Sequence, residues 1–214
     1  MARPNSPDYD LYRSGTLIRL TAVDAGYGAA TVLFGVDFEA RTGEVALING
    51  PAAAGKTTIT HLLRLALLPR SGRAVILGVD VGRASARSRA NVKKRIGYVA
   101  ENPVFIEQWT AFDNIAMPLR MAGHKPRDYA DDVRELVDFV GLGDAADLRM
   151  EKLSGAERRR VAIARALANK PELVLADDPT ANMSPTSSRS PSRFPLDHCR
   201  RPSESTAVNA RHCE

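Results

Sequence analysis

Three features of the sequence predict an α/β fold. A short apolar run leads into a glycine-rich loop and then a helix, a purely helical stretch follows, and a second apolar run ends in paired aspartates. The chain has 214 residues, 44% apolar and 26% charged, enough for one good core and a small lobe. Fifteen glycines and thirteen prolines without period exclude a collagen-like or low-complexity chain. No apolar run approaches the roughly 20 residues of a membrane helix.

Residues 1–16 read as a flexible leader. Met1–Ser14 is polar, carries Pro4, Pro7, Asp8 and Asp10, and lacks the apolar stretch of a secretory signal, so the expected location is the cytoplasm. Leu17, Ile18 and Leu20 open a strand that runs to a turn at Gly26-Tyr27-Gly28, and Val32 to Phe38 forms a second. Val45 to Ile48 is apolar throughout, as for a strand buried on both faces, and it ends in glycine. Lys56 to Leu68 carries Ile59, Leu62, Leu63, Leu65, Ala66 and Leu67 at helical spacing until Pro69 stops it. Ala74 to Leu77 reads as a strand, Ser85 to Lys94 as a polar helix or loop, and Ile96 to Val99 as another strand. From Thr110 to Phe139, apolar residues recur at three and four, which marks an inserted helical lobe; strands return at Leu173 to Ala176. Residues 184–214 hold seven serines, four prolines and five arginines without apolar periodicity and read as a disordered, atypical tail.

The thirty Lys and Arg against twenty-five Asp and Glu give a net charge of +5. A scattered excess of this size is a solvated basic surface before it is a nucleic-acid footprint, and no nucleic acid is expected. Cys199 and Cys213 are the two cysteines, too few for a disulfide framework and without metal-ligand spacing.

The sharpest chemical signal is Gly50-Pro51-Ala52-Ala53-Ala54-Gly55-Lys56-Thr57, which satisfies G-x-x-x-x-G-K-[ST] between a strand and a helix. Loop N–H groups and the positive end of the helix surround a phosphate chain, Lys56 adds a mobile cation, and Thr57 offers an oxygen to Mg²⁺. Leu173 to Asp178 supplies the opposing carboxylates: Asp177 fits a metal ligand, and Asp178 stands where a carboxylate orients or deprotonates an attacking water. Taken alone, an apolar strand ending in Asp-Asp-Pro is also a plain turn. Ser154 and Glu157 form an S-x-x-E capping box that starts an amphipathic helix.

Leu153-Ser154-Gly155-Ala156-Glu157 resembles the signature LSGGQ or LSGGE of the ATP-binding cassette (ABC) family. The order of glycine loop, helical lobe, signature and acidic strand is also that family's order. The resemblance covers residues 17–183. It implies the P-loop NTPase core of an ABC ATPase, with an N-terminal antiparallel β subdomain and a helical subdomain inserted at about 101–168. It also implies ATP and Mg²⁺ as cofactors, and a head-to-tail dimer or paired ABC subunit. In that dimer Ser154 and Gly155 of one subunit face the terminal phosphate held by the other's loop. It further implies a separate integral membrane subunit docked near Glu101 to Pro118, and a peripheral place on the inner face of the membrane.

Tyr27 stands where the family stacks an aromatic ring on adenine; Gly50, Ala53, Gly55, Lys56, Thr57 and Thr58 stand in its phosphate loop. Thr110 to Leu119 and Arg160 to Leu175 look most like the cell-division protein FtsE and its relatives in lipoprotein release and macrolide export.

Departures from the pattern bear on activity. Ala53 replaces a glycine, at about 1 kcal/mol if the backbone there is left-handed. Glu101 replaces the Gln that reaches Mg²⁺ and the attacking water. Asp178 replaces Glu, one methylene short, which predicts slow hydrolysis. Met183-Ser184 replaces Leu-Asp, and no strand followed by a histidine is evident in the tail, so neither His198 nor His212 is assigned. The alternatives are therefore an ATP-binding regulatory module with little or no hydrolysis, or an inactive truncated ABC ATPase. A small-molecule kinase is a weaker rival, because it would leave the signature without a role.

Overall fold

The computed structural model of the chain describes Tyr12, residues 14–51 and 53–177, and the backbone of residues 207–209. These divide into two compact units, the first running to Lys94 and including residues 207–209, the second beginning at Arg95.

In the first unit, β1 (Thr16–Tyr27) and β2 (Ala30–Arg41) form a hairpin. Gly28, with φ 52°, supplies the left-handed turn residue. Ile18, Leu20, Val23 and Ala25 point into the core, and the pairing register shifts between Leu20 and Val23, where Ala22 takes a positive φ. That bulge keeps Val23 and Ala25 on the buried face despite the break in alternation.

The next elements are β3 (Leu47–Asn49) and α1 (Lys56–Leu63), followed by β4 (Ser71–Ile76), β5 (Val79–Asp80) and α2 (Ala86–Lys94). The antiparallel order β2-β1-β4-β5 makes the expected N-terminal β subdomain, and α1 seats Ile59, Leu62 and Leu63 in the core.

Three expectations need correction here. Helix α1 ends at Leu63, short of Leu68, because Leu65 adopts φ 58° and the amides of Ala66 and Leu67 both bond the His61 carbonyl. Local closure of the last turn thus overrides the continuing apolar pattern. Strand β3 is not buried on both faces: Val45 is 48% and Leu47 64% exposed. Finally, the tail is not without a strand, since β8 (Ala207–Asn209) pairs in parallel with β3, Leu47 opposite Ala207 and Asn49 opposite Asn209. Three residues are too few to show periodicity, so nothing in the sequence announced the pairing. The leader through Leu11, and residues 178–206 and 210–214, lie outside the described residues.

In the second unit, β6 (Ile96–Val99) and β7 (Leu173–Ala176) pair in parallel. Between them lie α3 (Ala111–Met121), α4 (Pro126–Phe139), two 3-10 turns and α5 (Gly155–Leu167). Ala111, Ile115, Ala116, Val133, Val137, Met150, Val161, Ala162 and Ala164 interleave as this unit's core. In strand β7 Leu175 is buried, whereas Val174 is 48% exposed. Gly97 is required where it stands, since a Cβ there would lie 2.4 Å from the Ala166 carbonyl oxygen; its absence lets β6 lie close against α5.

Candidate nucleotide site

The residues expected to bind nucleotide divide between the two units. In the first, Gly50, Ala53, Gly55, Lys56, Thr57 and Thr58 form one loop and the first turn of α1. Ala53 has φ 64° and Gly55 has φ 82°, so two left-handed residues coil the chain just before the helix. The Lys56 ammonium donates to the Gly50 carbonyl at 2.9 Å and the Pro51 carbonyl at 2.7 Å, spanning the mouth of the loop. The Gly50 amide is held by Asn49 Oδ1 at 2.9 Å.

Helix α1 has no side-chain cap and no acidic residue in its first turn. Within the helix itself, then, no anionic side chain offsets its N-terminal amides and the positive end of its dipole. Gly55 is needed on two counts, its left-handed φ and the 2.8 Å that would separate an added Cβ from Leu33 Cδ2. Thr58 is buried in the core, whereas the neighbouring Thr57 is exposed.

Tyr27, at the end of β1, is 46% exposed, and its hydroxyl lies 2.7 Å from His61 Nδ1 on α1. No motif or spacing in the sequence singles out His61.

In the second unit, β6 and β7 release Glu101 and Asp177 from the same, carboxyl end of their ladder. The Asp177 amide donates to the Val99 carbonyl at 3.0 Å, and Glu101 follows two residues after Val99 in an exposed segment. Asp178 lies outside the described residues.

Ser154 and Gly155 open α5. The capping box forms as expected: Ser154 Oγ accepts from the Glu157 amide, and the Ser154 amide donates to Glu157 Oε2 at 2.8 Å. The Ser154 hydroxyl also donates to that carboxylate at 2.6 Å, and this bond, with the amide's, holds the Glu157 carboxyl below the usual glutamate range.

Sequence reading also passed over a set of arginines on α5. Arg159 donates to the Ala100 carbonyl at 3.1 Å, next to Glu101, and Arg165 donates to the Val104 carbonyl at 2.8 Å. Arg158 pairs with Glu107, donates to the Met150 carbonyl, and sits with Arg165 over the ring of Phe105, at 5.3 and 4.6 Å from its centroid. Hydrogen bonding to Arg158 lowers the Glu107 carboxyl's pKa, and the same bonding raises that of Arg158, while burial lowers that of Arg165. The buried Asn114 completes the tether, accepting from the Ile106 amide and donating to the carbonyls of Ile106 and Thr110. A run of arginines at a helix start was the available signal, but helical spacing alone does not say what they reach.

Among the described residues, no three His, Cys, Asp or Glu side chains cluster as a metal cage. The oxygen donors here, a threonine hydroxyl and scattered carboxylates, are of the kind Mg²⁺ takes one or two at a time alongside phosphate oxygens. No helix among the described residues is long and apolar enough to cross a membrane.

The sequence profile of the ABC transporter family matches residues 33–181, from β2 through the acidic strand. The chain belongs to the ABC transporter family. The lipoprotein-releasing system ATP-binding protein LolD of Hyphomonas neptunium is 38% identical over 175 residues, covering 79% of this chain and 77% of its own. LolD 2 of Caulobacter vibrioides is 38% identical over 162 residues, 75% and 71% of the two chains. The dimeric ATP-binding cassette MJ0796, in a post-hydrolysis state with ADP and Pi, superposes with a TM-score of 0.71 at 26% identity, covering 79% of this chain and 77% of that one. The protein is accordingly an ABC ATPase module of the α/β cassette fold, related to the lipoprotein-release group, and its activity is ATP binding and hydrolysis.

Proposed function

We propose that this ABC module binds Mg-ATP, with the loop of the first unit at the phosphates, and powers a separate membrane subunit. The observation that carries the reading is the N-terminus of α1, uncapped, free of acidic residues in its first turn, and preceded by two left-handed residues with Lys56 across the loop. Gly50, Ala53, Gly55, Lys56, Thr57 and Thr58 would hold the phosphates, and Tyr27 the base. Thr57, Asp177 and Glu101 would hold Mg²⁺, which when bound neutralises charge developing on the phosphates. Asp178 would orient the attacking water, with Glu101 beside it. Both residues favour slow turnover: Asp178 is one methylene short, and Glu101 brings a negative charge close to the phosphates.

Ser154 and Gly155 would meet the phosphate bound by a second ABC subunit, so two copies enclose two nucleotides. Both LolD relatives are named for lipoprotein release, which favours a release or export system over cell division and supports a location on the inner face of the membrane beside a partner.

The test is ATP binding and steady-state phosphate release by the purified chain. Saturable ATP binding with slow turnover, raised by Asp178→Glu by up to ~100-fold, is the expected result. A well-folded chain without affinity for ATP would overturn the proposal.

A further inference from the structure

The contact between Tyr27 and His61 has no role in the phosphate site as described above. The hydroxyl and Nδ1 are 2.7 Å apart, and the rings meet edge to face with centroids 6.1 Å apart and planes at 85°. A neutral imidazole with its proton on Nε2 accepts the phenolic hydrogen in this arrangement.

His61 is itself firmly seated. Its carbonyl receives the amides of Ala66 and Leu67 at the end of α1, and Leu62 and Leu63 beside it are buried. The helix that fixes His61 is the one whose first turn closes the phosphate loop, five residues earlier at Lys56. One short rigid element thus carries the anion-binding amides at one end and a tether for an aromatic ring at the other.

We propose that His61 is a positioning and specificity residue, which fixes the Tyr27 ring as a platform for the purine base of the nucleotide whose phosphates the loop binds. The proposal rests on the reading of Gly50–Thr57 as a phosphate site and of Tyr27 as the base contact. A half-exposed tyrosine at a strand end samples several rotamers, and a stacking ligand must first bear the cost of choosing one. The hydrogen bond and ring contact make that choice in advance. Phosphate affinity then depends on the loop alone, while preference for a nucleotide over a bare polyphosphate depends on His61.

The experiment measures binding of ATP and of inorganic tripolyphosphate to the full chain by calorimetry. The variants are His61→Ala, His61→Gln, Tyr27→Phe, Tyr27→Ala and the His61→Ala, Tyr27→Phe double variant. One hydrogen bond is at stake, so ATP is expected to weaken by roughly two- to tenfold in His61→Ala and in Tyr27→Phe. Tripolyphosphate affinity should stay at the wild-type value. The double variant should be no worse than either single one, because both remove the same bond, and His61→Gln should recover part of the loss by keeping an acceptor.

Equal losses for both ligands, additive losses in the double variant, or no loss for ATP would each overturn the role of His61. Should His61→Ala fail to fold, Tyr27→Phe, which keeps the ring, carries the test. Wild-type protein that binds neither ligand defeats the phosphate-loop reading, and the proposal with it. Tripolyphosphate binding with ATP affinity indifferent to Tyr27→Ala defeats the base platform instead.

Discussion

The two helix starts expected to meet phosphate are built in opposite ways. Helix α1 begins at Gly55, left-handed, without a side-chain cap and without an acidic residue in its first turn. Helix α5 begins at Ser154, extended, with a complete capping box and Glu157 in its first turn. At α1 the protein withholds the groups that normally satisfy a helix N-terminus, and the amides stay available to an anion. At α5 it supplies them, so Ser154 is already bonded to a carboxylate 2.6 Å away. A helix N-terminus is thus an anion site only where its own sequence leaves it unsatisfied. By that measure α1 is the stronger of the two proposed phosphate contacts, and α5 would become one only if a partner's nucleotide outcompetes Glu157.

The largest expected effect falls at α1. Lys56→Ala removes the only cation in its first turn, and phosphate release should fall on the order of 100-fold or more, with ATP binding lost in the same titration. If Lys56→Ala kept full affinity, the contrast between the two helix starts would have no functional meaning. Next comes Glu157→Gln, which weakens the anion at α5 without removing an acceptor. ATP-driven dimerisation, followed by light scattering, should tighten severalfold while monomer ATP affinity stays unchanged; a drop in dimerisation would mean that Glu157 supports the contact.

Acid should unsettle the second unit through its glutamates. Glu107 and Glu157 both have lowered carboxyl pKa values in the fold. Their stabilisation is therefore fully present above the unfolded glutamate value of 4.5 and is lost as pH falls through the lower folded values. Melting temperature should decline below about pH 4.5, and Glu107→Gln should lessen that decline, since it removes one carboxylate whose pKa the fold lowers. An unchanged pH slope in Glu107→Gln would show that the Arg158 pair contributes nothing measurable, the usual outcome for an exposed ion pair.

The smallest effect belongs to Ala53→Gly. Relief of the left-handed backbone is worth about 1 kcal/mol, and the greater unfolded-chain entropy of glycine returns roughly half of it. A rise in melting temperature of about one or two degrees is expected in a thermal scan. A fall would mean that the φ of 64° is not strained in this loop.

Some of this was written in the sequence in local form. Gly50–Thr57 between an apolar run and a helical pattern, the Ser154–Glu157 box, and the three-and-four spacing from Thr110 to Phe139 are each set by neighbours within a few residues. They reappear as the left-handed loop that leads into α1, the α5 cap and the helices α3 and α4. Features that depend on distant partners were not legible. The apolar run at Val45–Ile48 suggested burial, yet Leu47 stands 64% exposed, because how far a strand is covered depends on elements remote in sequence. The end of α1 has a local cause that apolar spacing does not reveal: the pattern continues, but the Ala66 and Leu67 amides turn back to His61.

By itself, then, the sequence determined the family pattern and the chemistry of the proposed site: which loop offers amides and which residues bring cation, hydroxyl and carboxylate. Those choices are made within a single turn or strand end, where chain connectivity puts the groups within reach of one another. Tertiary structure alone decided the pairing of β8 with β3, the arginines of α5 that hold Ala100 to Glu107, and the meeting of Tyr27 with His61. These contacts join residues 34 to 160 positions apart, and no periodicity encodes them. They form because burying the apolar faces of β1, α1 and α5 fixes where the polar groups on the opposite faces end up.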